Sequence, residues 1–162
     1  MAARNSALRS LPFSCAILIA VVCLCAARAP VKRQESGLNP AAISIRLPKE
    51  IQWKDAPSGA KSAVLAGDPA KAGLYVMLVR WTAHHMSRPH FHPNDRYITV
   101  ISGTWWVGTG SKYDPEKTVA LPAGSFVTHY AKQIHYDGAK DEDAVLEIVG
   151  MGPANSTPAE VK

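Results

Sequence analysis

Between residues 43 and 149 the chain is broken every few positions by proline, glycine, aspartate or asparagine, and the runs between breaks are rich in β-branched and aromatic residues. No stretch sustains an apolar repeat of 3.6 residues, so no amphipathic helix has a face to bury. Ile43-Ser44-Ile45-Arg46-Leu47 alternates with period two, the pattern of a half-buried strand. A short candidate at 51–54 precedes the turn Ala56-Pro57-Ser58-Gly59, and 63–66 runs into the turn Gly67-Asp68-Pro69. Further strands are expected at 74–81, 97–101, 104–107, 118–121, 125–130 and 144–149. Many short strands at this spacing form a sandwich or barrel, so the fold class is all-β with a single domain.

The N-terminus has a different character. Arg4 and Arg9 precede an apolar run over residues 15–27 that ends in small residues, and no acid occurs before Glu35. This describes a secretory signal peptide over residues 1–27, with cleavage after Ala27 or Ala29. The run is too short to span a bilayer, which takes roughly 20 apolar residues. The expected location is periplasmic or secreted, with no membrane attachment after signal removal. Cys15, Cys23 and Cys25 all leave with the signal, so the mature domain has no disulfide and no thiolate ligand. Arg4 and Arg9 leave too, so 16 basic residues face 13 acidic ones, without a basic block that would suit nucleic acid. Residues 28–42 read as a polar tether, 43–152 as the barrel and 153–162 as a C-terminal tail.

Pro89-His90-Phe91-His92-Pro93 sets two imidazoles one residue apart, and His135 follows 43 positions after His92. In an extended segment residues i and i+2 project to one face, so His90 and His92 converge. With His135 they make a candidate site for a divalent transition metal, whether Fe, Mn, Ni or Zn.

The histidines and the strand spacing together resemble the cupin superfamily of jelly-roll β-barrels, over about residues 70–152. The first cupin motif, G-x5-H-x-H-x3,4-E-x6-G, falls on His84, His90, His92, Arg96 and Gly103. The second, G-x5-P-x-G-x2-H-x3-N, falls on Gly124, Tyr130, Lys132, His135 and Ala139. The resemblance is greatest to small exported single-domain bacterial cupins, and it implies a three-His metal site. Arg96 replaces the glutamate ligand of that pattern, and a guanidinium has no lone pair to give a metal. Metal and Arg96 together would attract an anion.

Asp95 points away from Arg96 on strand parity. Glu147 lies mid-strand in Val145-Leu146-Glu147-Ile148-Val149; it faces the site if Val145 and Val149 do, and solvent if Leu146 and Ile148 face inward. Tyr136 is expected to point away from the site. His129, before a turn, is expected to cap or lie at the surface, and His84 and His85 to be solvated. Tyr75, Met77, Val79 and Trp81 alternate along one strand face and should line the barrel. Of the adjacent Trp105 and Trp106, one should face outward, which suggests a homodimer contact.

Two functions remain open. One is a metalloenzyme acting on a small anionic organic molecule, as a dioxygenase or an isomerase or lyase, with Arg96 orienting substrate and Glu147 carrying a proton. The other is a non-catalytic module that binds or senses a metal or small ligand.

Overall fold

The computed structural model describes residues 37–56 and 58–161. The expected signal peptide and most of the tether lie outside the described residues. Residues 37–43 form an exposed turn, and residues 44–161 belong to one compact unit.

That unit is all-β, with strands β1 (Lys54–Asp55), β2 (Ala60–Ala66), β3 (Gly73–Trp81), β4 (His85–Met86), β5 (His90–Phe91), β6 (Arg96–Ser102), β7 (Thr104–Thr109), β8 (Val119–Pro122), β9 (Phe126–His129), β10 (His135–Ala139), β11 (Ala144–Gly152) and β12 (Thr157–Pro158). They form two antiparallel sheets, as the expected jelly roll requires. The first runs β1-β2-β3-β11-β6-β9; the second runs β12-β5-β10-β7-β8, with β4 also paired to β10.

The first sheet follows from alternation. β3 and β11 pair along all nine residues of each, from Ala144 opposite Trp81 to Gly152 opposite Gly73. Tyr75, Trp81, Ile98, Val100, Leu146 and Ile148 face inward and meet Trp105 and Ala139 of the second sheet. Each large apolar side chain so buried contributes about 1.5–3 kcal/mol of transfer free energy. Tyr75, Met77, Val79 and Trp81 do line the interior as a face: Tyr75 and Trp81 are core, and Met77 and Val79 pack against it.

Two expectations from the sequence are corrected. Residues 43–47 are not a strand: Ile45 is 49% exposed, and the Arg46 side chain, rather than a backbone ladder, ties this stretch to β2 by donating to the Val64 carbonyl (2.8 Å). β1 pairs with β2 only at Lys61 and Ser62, and beyond them the Arg46 side chain meets the β2 edge where a strand would have paired its backbone. Residues 153–162 are not a tail outside the barrel. β12 pairs with β5, Ala159 N–H donates to the Pro89 carbonyl (2.9 Å), and Val161 N–H to the Ser111 carbonyl (3.0 Å). Glu160 forms a salt bridge with Arg88.

The outward tryptophan is Trp106, and Lys140 of the same chain places its Nζ 4.2 Å from the ring centroid. Trp105 is fully buried. Tyr136 lies on the face of β10 away from the interior, where its hydroxyl donates to the Asp114 carbonyl (2.9 Å). Its ring leaves no room at Gly108 of the neighbouring strand, since a Cβ there would sit 2.3 Å from it.

Candidate metal centre

Two pieces of backbone bring the histidines together. His90 sits on β5, which is bounded by Pro89 and Pro93; His92 follows in the turn; and His135 opens β10 directly opposite His90 in the antiparallel register. One ring nitrogen from each lies within 4.8 Å of the others. His92 and His135 are buried, and His90 is half-buried.

Each ring is oriented by a main-chain oxygen. Nδ1–H of His90 donates to the Arg88 carbonyl (2.8 Å), that of His92 to Asn155 (2.8 Å), and that of His135 to Gln133 (3.0 Å). This fixes the tautomer and leaves Nε2 of all three with its lone pair toward the common centre, the arrangement in which a metal-ligating imidazole is normally held. Burial, reinforced by the Arg96 charge, pushes His92 down to about 3, so its ring is neutral at physiological pH. Burial also lowers His135 against the pull of Asp137. The Nε2 atom of His135 is buried without a hydrogen-bond partner among the described residues. Three imidazoles with Nδ1–H committed to a carbonyl and Nε2 lone pairs that converge fit a divalent transition metal.

Arg96 opens β6 and turns its guanidinium into the same space, where Nη1 donates to Nε2 of His92. Asp95 takes no part in the site; its carboxylate accepts from Ala131 N–H (2.7 Å) and pins the loop before His135. That loop is also tied by Lys132 N–H donating to the His92 carbonyl (2.7 Å). The four motif positions 84, 103, 124 and 132 all adopt positive φ, although only Gly103 and Gly124 are glycines; His84 (65°) and Lys132 (62°) carry the same conformation with a side chain.

Glu147 does not join the site. Leu146 and Ile148 are buried and line the cavity, so Glu147 between them projects to the opposite face of the first sheet. The alternative that turned Val145 and Val149 inward is thereby corrected: the larger Leu and Ile side chains fill the interior.

Two residues missed as site groups take up this space. Asp137 lies two positions after His135 on β10, shares its inward parity and is 8% exposed. Its carboxylate accepts from the Ser87 hydroxyl (2.8 Å), and its own N–H donates to Ser87 Oγ (2.9 Å). Burial alone would raise this carboxyl; His129, His135 and His90 and the Ser87 hydroxyl outweigh it and hold it below the usual carboxylate range. The i, i+2 rule applied from His135 would have found it. His129, expected at the surface, is 7% exposed, with its ring centroid 3.8 Å from that of His135 and 5.4 Å from Trp105. Burial pushes it down to about 3. The signal for it was its register opposite Arg96 across β6 and β9, which only the fold reveals.

His90 and His92 open on a cavity of about 590 Å³. His90, His92, Arg96 and Asp137 supply its polar part; Val79, Trp81, Met86, Leu146 and Ile148 form an apolar wall; and Ser156 and Pro158 of the C-terminal strap close one side.

Residues 44–155 match the ChrR cupin-like domain family. No curated protein matches the chain. Among solved structures, the polyketide cyclase RemF from Streptomyces resistomycificus is similar with a TM-score of 0.62 at 11% identity, over 74% of this chain and 87% of that one. KdgF from Halomonas sp. gives 0.54 at 19% identity, over 67% and 92%. The anti-sigma factor ChrR from Rhodobacter sphaeroides, solved in complex with SigE, gives 0.50 at 14% identity, over 66% of this chain and 51% of that one. At these identities the likeness is one of fold.

Proposed function

The chain belongs to the ChrR cupin-like domain family, and we propose that it is an exported metal-dependent protein that binds a small anionic organic molecule and moves a proton on it. The observation that carries this reading is the set of three convergent Nε2 lone pairs, each fixed by a carbonyl behind it, with His90 and His92 lining a cavity that also contains a buried carboxylate. His90, His92 and His135 would hold the ion. A divalent metal bound there supplies Lewis acidity, which polarises a substrate oxygen and makes a neighbouring C–H more acidic.

The remaining roles belong to the chain's own side chains. Arg96 orients the anionic group, since a guanidinium matches a carboxylate with two parallel donors. Val79, Trp81 and Met86 receive the apolar body and exclude water. Asp137, held ionised and steadied by Ser87, takes the proton that sequence reasoning assigned to Glu147. A base placed beside the metal suits isomerisation or lysis, in which proton transfer is the reaction itself. Export rests on the apolar run behind Arg4 and Arg9.

A second reading, a sensing module without turnover, is favoured by the family and by the likeness to an anti-sigma factor. Purified without a histidine tag, the protein is expected to hold about one divalent ion per chain, and His135→Ala none. Loaded protein should then exchange a substrate C–H proton for deuterium across a panel of hydroxy and keto acids, and Asp137→Asn should abolish the exchange while keeping the metal. Metal without exchange on any member would favour the sensing module; no metal would overturn the metal-dependent reading and leave a module that binds a small ligand.

A further inference from the structure

We propose that Arg96 and the metal are exclusive occupants of the His92 lone pair, so that the metal and an anionic ligand load the site cooperatively. The inference rests on the three-histidine reading of the site.

Nδ1 of His92 is committed to the Asn155 carbonyl, which leaves Nε2 as its single lone pair, and that lone pair accepts from Arg96 Nη1. A neutral imidazole is a poor partner for a permanent cation inside a protein. Yet no carboxylate among the described residues pairs with Arg96: Asp95 serves Ala131, Asp137 serves Ser87, and Glu147 lies on the other face of its sheet. The Nε atom of Arg96 is buried and also finds no acceptor among the described residues. The guanidinium is therefore partly desolvated and short of an anion.

A metal cannot share Nε2 with it. The three ring nitrogens lie within 4.8 Å of one another, close enough to share one ion. For His92 to give its Nε2 lone pair to that ion, it must release Arg96. The released guanidinium then stands a few ångströms from a divalent cation, an arrangement that repulsion disfavours until an anion lies between them. A carboxylate satisfies both charges at once, and the apolar wall of Val79, Trp81, Met86, Leu146 and Ile148 selects one with a hydrophobic body. The coupling is reciprocal: whatever factor the anion adds to metal affinity, the metal adds to anion affinity.

The test is titration of the full-length protein with Co(II), followed by visible absorption, with and without benzoate, a carboxylate with an apolar ring and little hold on free Co(II). Saturating benzoate is expected to tighten Co(II) binding about tenfold. Arg96→Leu, which frees His92 from its competitor, is expected to bind Co(II) more tightly than wild type without benzoate and to respond to benzoate less than twofold. Because the wild-type titration alone reads the coupling, the inference does not depend on the variant folding. Co(II) binding to wild type that is indifferent to benzoate would overturn this inference and leave the metal site standing. Failure of wild type to bind Co(II) at all would overturn both.

Discussion

The two sheets of the barrel are built on different physical terms. The first is held by burial: β3, β11 and β6 are long, alternate regularly and contribute most of the large apolar side chains of the core. Around the histidines the second sheet is held by polar contacts. β5 and β12 have two residues each, β10 contains Asp and Gly, and its rings are set by carbonyl oxygens and a Ser87–Asp137 pair. A scaffold that needs only apolar volume tolerates repacking, whereas a site that needs lone pairs aimed at a point depends on each hydrogen bond behind it.

Acid should give the largest effect, acting on buried imidazoles that both regions contribute, His92 beside the second sheet and His129 on β9 of the first. His92 and His129 titrate at about 3 in the fold against an ordinary value of 6.5. Between those values the unfolded chain takes up protons that the folded one refuses, so the stability is complete above 6.5 and is lost as pH falls toward 3. From about pH 7.5 to about pH 5 the metal-free protein should lose about 4 kcal/mol, roughly 2 for each ring, read as a drop in the urea midpoint. A midpoint that holds steady over this interval would mean that the rings are not desolvated as described.

Next in size is damage to the burial-held sheet. Ile98→Ala should cost about 3 kcal/mol in urea unfolding while metal stoichiometry stays unchanged. Loss of metal from this variant in its folded state would show that the two regions are not separable.

The smallest expected effect is a gain. Lys132 holds a left-handed backbone with φ of 62°. Lys132→Gly keeps the N–H that ties the loop to His92 and should raise stability by about 1 kcal/mol, seen in the same unfolding experiment.

The same division governs what could be read from the sequence. Strands expected at 74–81, 97–101 and 144–149 appear as Gly73–Trp81, Arg96–Ser102 and Ala144–Gly152, because alternation of large apolar residues both signals and stabilises such strands. His90, His92 and His135 were legible as a group because i, i+2 parity and motif spacing are local facts. Strand β10 was not legible: all five of its residues are buried, and Tyr136-Asp137-Gly138 carries no alternation of hydrophobicity. Nor was β12, where a Thr-Pro pair becomes a strand only because β5 offers its edge. Ile43-Ser44-Ile45 shows the converse, alternation in a stretch that joins no sheet. The depth of His129 and the outward turn of Glu147 follow from how neighbouring strands divide the interior volume.

All three braces behind the metal-facing rings end on main-chain oxygens, at Arg88, Gln133 and Asn155. Any residue type offers that oxygen, so the side chains at these positions are free to drift without disturbing the tautomers they support. Arg88 already has other engagements, with Glu160 and with the ring of Tyr113 at 3.9 Å. A lineage can redraw the rim of this pocket, and with it what enters, while the chemistry beneath is inherited intact.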